Sequence, residues 1–337
     1  MLDPLTIKKY DPSGMHKIYD MWPQIAKKSY QSTKDAADFE NINHVVFSGM
    51  GGSGTIADIF SSILSKSNLH TCVVKGYHLP RTVDANTLVV TTSVSGNTVE
   101  TLEVLKSAHD INCRIIAFSS GGKMQQYCTK NNLVYKKIEY FHSPRASLAA
   151  FLYSMLAFLG PLFNIKSQDI AESIKLLENL KKQIGSSNLD YNNPSLKLAA
   201  WISGIPIIYY PWGLQAAATR FKNSLQENVK IHAMAEDIME ASHNGIVSWE
   251  TPSNVQPILI RGEDDYIKTK ERWNILKEYF HVKNIEYEEV VSVKGSILSK
   301  LINLIYMLDY STIYRSFLSG RDPSPIASID YIKKKMN

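Results

Sequence analysis

Short runs of β-branched and aromatic residues recur along this chain, each followed by a turn and a longer stretch of helical periodicity. No other feature restricts the fold as much, because this alternation is the signature of βαβ units and parallel sheets. In the first half, strands are predicted over His44–Ser48, Thr71–Lys75, Thr87–Thr92, Arg114–Phe118 and Leu133–Lys137, with helices over Thr55–Leu64 and Val99–His109. Five strands with intervening helices make a complete doubly wound domain. The second half repeats the plan. Strands are predicted at Pro206–Tyr210, Pro257–Arg261 and Glu286–Val291, and helices at Leu214–Leu225, Tyr266–Phe280 and Ser296–Leu318. HVVFSGMGGSGTIADIFSSIL and IPIIYYPWGLQAAATRFKNSL share a strand, glycine turn and helix, though little identity, so the chain reads as two copies of one α/β unit. A helical stretch around residues 148–185 joins them.

The 337 residues suffice for two such cores. At 44% hydrophobic and 20% charged, with 37 Lys+Arg against 32 Asp+Glu, the chain is too apolar and too balanced for disorder. The small positive surplus does not suggest a nucleic-acid partner. Cys72, Cys113 and Cys128 form no CxxC pair, and the nine histidines form no HxH or HxxxH pair, so neither a disulfide framework nor a metal cluster is signalled. The opening MLDPLTIKKYDPSGMHKIYD has no apolar region of the signal-peptide kind, and a cytoplasmic protein is expected. Leu148–Ile165 approaches the length that crosses a bilayer, but Ser154, Asn164 and Gly160-Pro161 interrupt it. A helix buried between two domains fits better.

Gly49-Met50-Gly51-Gly52-Ser53-Gly54 follows a strand and opens a helix, where free N–H groups and the helix dipole attract an anion. The spacing satisfies GxGxxG, yet the next strand, Thr71 to Tyr77, lacks the carboxylate that a dinucleotide ribose needs. No GK[ST] follows, so it is not a Walker loop either. A second loop, Thr91-Thr92-Ser93-Val94-Ser95-Gly96-Asn97-Thr98, also joins a strand to a helix. Asn97 and Glu100 read as a capping box. Ser93, Ser95 and Thr98 go beyond capping, and hydroxyls with backbone amides at a helix start suit a phosphate monoester. Two anion-ready loops at neighbouring strand ends make a ligand crevice.

Other polar residues are ambiguous taken singly. Arg145, in Ser143-Pro144-Arg145 at the head of the apolar helix, is either a snorkelling surface residue or a guanidinium facing a developing oxyanion. Glu227 lies in a mixed-charge run, 220–230, that also reads as a solvated helix end. His243 follows sixteen residues later. On one continuous helix that separation is about 24 Å, so cooperation between the two needs a fold-back or a second subunit.

Taken in order, GMGGSG, SVSGNT, PR before an apolar helix, RFK…EN.K, HN and a terminal DPSP…K resemble the bifunctional phosphoglucose/phosphomannose isomerases, a family of two sugar-isomerase (SIS) domains. The resemblance covers nearly the whole chain. It implies two doubly wound SIS domains, at 1–155 and 156–337, in a homodimeric enzyme of carbohydrate metabolism (glycolysis and gluconeogenesis) that uses no metal or cofactor. Gly51, Gly52 and Ser53 would line the sugar site, and Ser93, Ser95 and Thr98 would hold the 6-phosphate. Arg145 would stabilise the enediolate, and Glu227 would carry the proton between C1 and C2. His243, reaching in from the other subunit, and Lys333 would assist ring opening. Gln226, Gly245 and Val94 depart from the family pattern, which has Asn, an acidic residue and an aromatic there. Lys333 begins a three-lysine run that also reads as a solvated tail.

Such a set suits aldose–ketose isomerisation. A carboxylate removes a weakly acidic C–H proton near neutral pH only if fixed positive charge stabilises the enediolate. Returning the proton to either face of C2 gives the glucose or the mannose phosphate, a choice on which the Ser324 hydroxyl could bear. The expected activity interconverts glucose 6-phosphate and fructose 6-phosphate, with mannose 6-phosphate as a further substrate. The alternatives are a non-catalytic sugar-phosphate-binding regulator, which needs neither Glu227 nor His243, and an amino-sugar isomerase, for which no ammonia-handling motif is evident.

Overall fold

A computed structural model describes residues 2–33 and 35–336. It divides into two compact units. One comprises Met21–Glu178 and Gly295–Leu301, the other the residues up to Asp20, Asn179–Lys294 and those from Ile302 onward. The boundary expected after residue 155 falls inside a helix, Leu148–Leu159, that belongs wholly to the first unit. The dividing points observed lie within two other helices, Ser167–Ile184 and Ile297–Leu318.

In the first unit the strands are β1 (His44–Ser48), β2 (His70–Val74), β3 (Leu88–Ser93), β4 (Arg114–Ser119) and β5 (Val134–Lys137). They form a parallel sheet in the order β2-β1-β3-β4-β5. Strands β1 and β3 are buried at every position, which is why they read as unbroken apolar runs rather than alternating ones. The chain leaves β1 toward β2 and then returns to the other side of β1, so the order reverses between β1 and β3. Ligands of open parallel sheets bind outside the carboxyl ends of strands at such a reversal. Both glycine-containing loops of the sequence lie there, one after β1 and one after β3.

The helix Leu148–Leu159 has twelve residues, about 18 Å, well short of the ~30 Å hydrocarbon core of a bilayer. Ten of the twelve are buried, so it is apolar all round because it is surrounded by protein. It packs against the helix Trp22–Ser32. Among the described residues, no helix is long and apolar enough to cross a membrane.

The second unit holds β6 (Ile205–Tyr210), β7 (Met234–Asp237), β8 (Val255–Arg261) and β9 (Glu288–Val291), parallel and in the order β7-β6-β8-β9. That is the order of the first four strands of the other sheet, so the two halves share topology as well as plan. Sequence reasoning missed β7. Its MAED is half-exposed at the sheet edge and carries two acids, so it has neither the apolar run nor the alternation of a recognisable strand.

Candidate active site

After β1, Met50 is extended, and the helix Gly51–Leu64 begins on the glycines themselves, four residues earlier than the sequence suggested. No side chain caps this helix start. Gly51 has φ +54, and a Cβ there would meet nothing within 4 Å, so the turn is open on that side. Ser53 is only 4% exposed, and its Oγ accepts the Val94 N–H at 3.2 Å. The β1 loop is thereby fastened to the β3 loop. At the end of β2, Lys75 pairs with Asp58 of the same helix at 2.5 Å. A cation stands where a dinucleotide site would place its acid.

The β3 loop is shaped from within. Ser93, buried, accepts the N–H groups of Gly96 at 3.1 Å and Thr98 at 3.4 Å, and its hydroxyl pairs with that of Thr98 at 2.9 Å. The exposed Ser95 accepts the Asn97 N–H at 3.2 Å, which leaves its own proton to donate outward. The expected capping box does not form. The N-cap of helix Val99–Asp110 is Thr98, one residue later, while Asn97 Oδ1 accepts the Lys123 N–H at 3.0 Å. Since the Thr98 hydroxyl is turned to Ser93, no side chain caps this helix either. Two uncapped helix starts, tied together by Ser53, suit a dianion.

Gly96 is the tightest point. It has φ +70, and a Cβ there would lie 1.8 Å from the Gly121 carbonyl oxygen. Gly96→Ala must therefore push the loop away from its brace. Each charge-assisted bond lost to a phosphate is worth about 1.5–3 kcal/mol, roughly tenfold to a hundredfold in affinity. KM for a sugar phosphate should rise by at least that factor, and an unchanged KM in steady-state kinetics would separate this loop from phosphate binding.

The third element of this unit is the turn 141–147. Ser147 Oγ accepts the Phe141 N–H at 2.9 Å, and Ser143 Oγ accepts the Ala146 N–H at 3.3 Å. The Trp22 indole donates to the Ala146 carbonyl at 2.9 Å. Arg145 sits within this frame, 3% exposed, which rules out the snorkelling alternative. Burial raises the Tyr140 phenol pKa and the Arg145 charge draws it back, so the guanidinium field acts on that ring. In one unit, then, the structure gathers the two loops (Gly51, Gly52, Ser53; Ser93, Ser95, Thr98) and the buried Arg145 turn.

Glu227, His243 and Lys333 belong to the other unit. Glu227 does not lie past a helix. The helix Gln215–Ser224 continues into a π-turn, Leu225–Val229, and half-buried Glu227 is its middle residue. Such turns insert one residue into a helix and so re-aim a side chain, commonly at functional positions. Asn228 is buried and donates to Thr312 Oγ1 at 2.7 Å, and Arg321 Nη1 donates to the Val229 carbonyl at 2.8 Å. Lys230, left-handed at φ 64, places its ammonium on the carbonyls of Glu227 and Pro323. The terminal Asp322-Pro323-Ser324-Pro325 motif is thus packed on the Glu227 turn.

His243 is exposed just after the short helix Ile238–Ala241, and its N–H donates to the Glu240 carbonyl at 2.9 Å. Where the family has an acid at 245, the Glu236 carboxylate presses on Gly245, 2.7 Å from the place of a Cβ. Burial, with Glu240 nearby, raises the pKa of Glu236. Lys333 lies on the helix Ala327–Met336, none of whose residues is buried, so the tail is helical and solvated there.

Sequence reasoning overlooked Asp309 and its pairing with Arg220, the first residue of the RFK motif. Arg220, 3% exposed, holds the fully buried Asp309 with Nε at 3.2 and 3.1 Å and Nη2 at 2.8 Å. The available signal was a lone acid in the middle of the apolar helix Ile297–Leu318.

Comparison with known proteins bears on what this arrangement does. Residues 191–336 match the family described as the bacterial phospho-glucose isomerase C-terminal SIS domain. The bifunctional phosphoglucose/phosphomannose isomerase of Caldicellulosiruptor bescii is 30% identical over 334 residues, 95% of this chain and 97% of that protein. Its namesake from Aquifex aeolicus is 29% identical over 307 residues, 89% of this chain and 92% of that one. The crystal structure of tagatose-6-phosphate ketose/aldose isomerase from Escherichia coli superimposes with a TM-score of 0.71 at 14% identity, covering 93% of this chain and 95% of that one, a likeness of fold alone. Matched at 30% identity over 95% of its length, the chain belongs to the bifunctional phosphoglucose/phosphomannose isomerase family.

Proposed function

We propose that this protein is an aldose–ketose isomerase that interconverts glucose 6-phosphate and fructose 6-phosphate, and mannose 6-phosphate as well, through an enediolate and without a metal. The observation that carries the reading is the pair of uncapped loops joined through Ser53 and Val94 at the sheet's point of reversal, in a chain of this family. The 6-phosphate sits on the hydroxyls of Ser93, Ser95 and Thr98 and the amides around them. The sugar lies along Gly51, Gly52 and Ser53, where the turn is open.

The hexose ring opens with a proton moved by His243 of the partner subunit and by Lys333. Glu227 then takes the C2 or C1 proton and returns it at the neighbouring carbon. Charge develops on the carbonyl oxygen as that proton leaves, and the Arg145 guanidinium, held in its buried turn, stabilises it. A homodimer follows from the role of His243, and the cytoplasm is the compartment of its substrates.

A coupled assay of the purified protein with fructose 6-phosphate in the presence of EDTA tests this reading. Glucose 6-phosphate should form at an undiminished rate, with mannose 6-phosphate as a second product. Complete loss of turnover in EDTA, restored by a divalent cation, would refute the metal-free reading. No turnover under either condition would refute isomerase activity. Sedimentation of a fully active monomer would remove His243 of the partner subunit from the mechanism.

A further inference from the structure

The first unit holds a second opening that the chemistry above does not use. A cavity of about 600 Å³ is lined by residues of the helices Trp22–Ser32 and Leu148–Leu159 and of the sheet edge at β4 and β5. None of the lining residues belongs to the β1 loop, the β3 loop or the turn 141–147. The volume is that of a small-molecule pocket and far exceeds what an inorganic ion fills.

Two aromatic rings form its apolar side. Phe118 of β4 and Phe158 of the helix Leu148–Leu159 meet edge to face, with ring centroids 5.9 Å apart. Three lysines, Lys28, Lys136 and Lys137, line the same cavity with two acids, Asp35 and Glu139, so cations exceed anions by one. Lys136 is the best placed of them. It is the cross-strand partner of Phe118, which sends both side chains to one face of the sheet. Its ammonium lies 4.5 Å from the centre of the Phe158 ring. Edge strands often carry lysines only to discourage pairing with another chain. Such a lysine stands in water, whereas the Lys136 side chain is 29% exposed and laid over an aromatic face.

The acids that answer these lysines are loosely held. Asp35 accepts from Lys136 at 2.8 Å, but its own side chain is 74% exposed. Glu139 accepts from Lys28 at 3.2 Å, and both side chains are largely exposed. Exposed pairs of this kind contribute about 0–1 kcal/mol, against about 1.5–3 kcal/mol for a hydrogen bond to a charged group in a less exposed place. A competing anion can therefore displace Asp35. Lys137 has no acidic partner among the described residues. On the cavity wall, the half-buried Ser154 hydroxyl has no hydrogen-bond partner among them either.

We propose that this cavity is a second ligand site, which takes a small organic anion: an aromatic body against Phe118 and Phe158, with a carboxylate or phosphate on Lys136 in place of Asp35. Ser154 donates a hydrogen bond to the ligand, and Lys28 and Lys137 add positive charge at the rim. The surplus of lysines over acids disfavours a cation. The site is independent of which reaction the chain catalyses.

Isothermal titration calorimetry of the full chain with benzoate and with phenyl phosphate tests this, with phenol as the uncharged control. At least one of the two anions should bind saturably with Kd below about 1 mM, and phenol about tenfold or more weakly than that anion. Binding of either anion supports the site, and the tighter one names its head group. Lys136→Met keeps the apolar stem and removes the charge, and should weaken that anion about tenfold or more. Ser154→Leu fills the cavity from the helix Leu148–Leu159 and should weaken it without removing a charge. Gly96→Ala, which disturbs the β3 loop, should leave its Kd within about twofold of wild type. Should Lys136→Met fail to fold by its melting curve, Ser154→Leu decides. The proposal is overturned by absence of saturable binding of both anions, by phenol binding as tightly as they do, or by binding lost in Gly96→Ala and kept in Lys136→Met. Turnover plays no part in these titrations, so an inactive wild-type protein would overturn the isomerase reading alone.

Discussion

Glu227→Gln should lower kcat for fructose 6-phosphate by about a thousandfold to ten-thousandfold while sugar-phosphate binding stays within about threefold of wild type. The amide keeps the shape of the side chain and removes its basicity. Glu227 is half-buried at the middle of the π-turn, and Asn228, the Val229 carbonyl, Lys230 and Ser224 supply bonds that hold this turn. The fold should therefore survive the change. Product analysis by NMR in heavy water gives the sharpest reading, because a lost base abolishes exchange of the C2 proton along with turnover. Deuterium appearing at C2 at the wild-type rate would place the base elsewhere.

The second large effect concerns Arg145. Arg145→Gln should lower kcat by about a hundredfold to a thousandfold, the usual cost of removing one group that stabilises a developing oxyanion. KM should change little if, as proposed, the β3 loop holds the phosphate. The turn carrying Arg145 is framed by Ser143, Ser147 and the Trp22 indole, so the guanidinium is not its only support. Arg145→Lys should recover part of the lost rate, because a point charge keeps the field and loses the planar fork. Steady-state kinetics of the two variants, with melting temperatures, check this. A Gln variant as active as wild type would show that the enediolate is stabilised by another group.

Much of the fold was legible because parallel strands buried on both faces are written as short apolar runs, and β1, β3, β4 and β8 are of that kind. The edge strand β7, with two acids and partial exposure, carries no such mark. Loop chemistry was legible in kind and less so in detail. Hydroxyls flanking Gly96 signalled an anion loop, but which one caps the helix depends on a one-residue shift that the bond between Ser93 and Thr98 decides. The π-turn was hidden for a similar reason. A π-turn differs from an α-turn by a single residue, and the choice is made by tertiary bonds to Thr312 and Arg321, eighty and more residues away. Asp309 was passed over because its neighbours are apolar, and only the fold shows that Arg220 meets it.

Residues 2–20 pack with the carboxyl-terminal unit, where Asp20 takes the Ser186 N–H and the Tyr310 hydroxyl. On the ribosome these partners emerge 166 and 290 residues after Asp20. At about 5–20 residues per second, the leading segment must wait roughly ten seconds or more, undocked, while the intervening sheet folds. Trimming it would spare the unit with the β1 and β3 loops and injure the unit that carries Glu227, so a cut at one terminus would be felt as damage to the other.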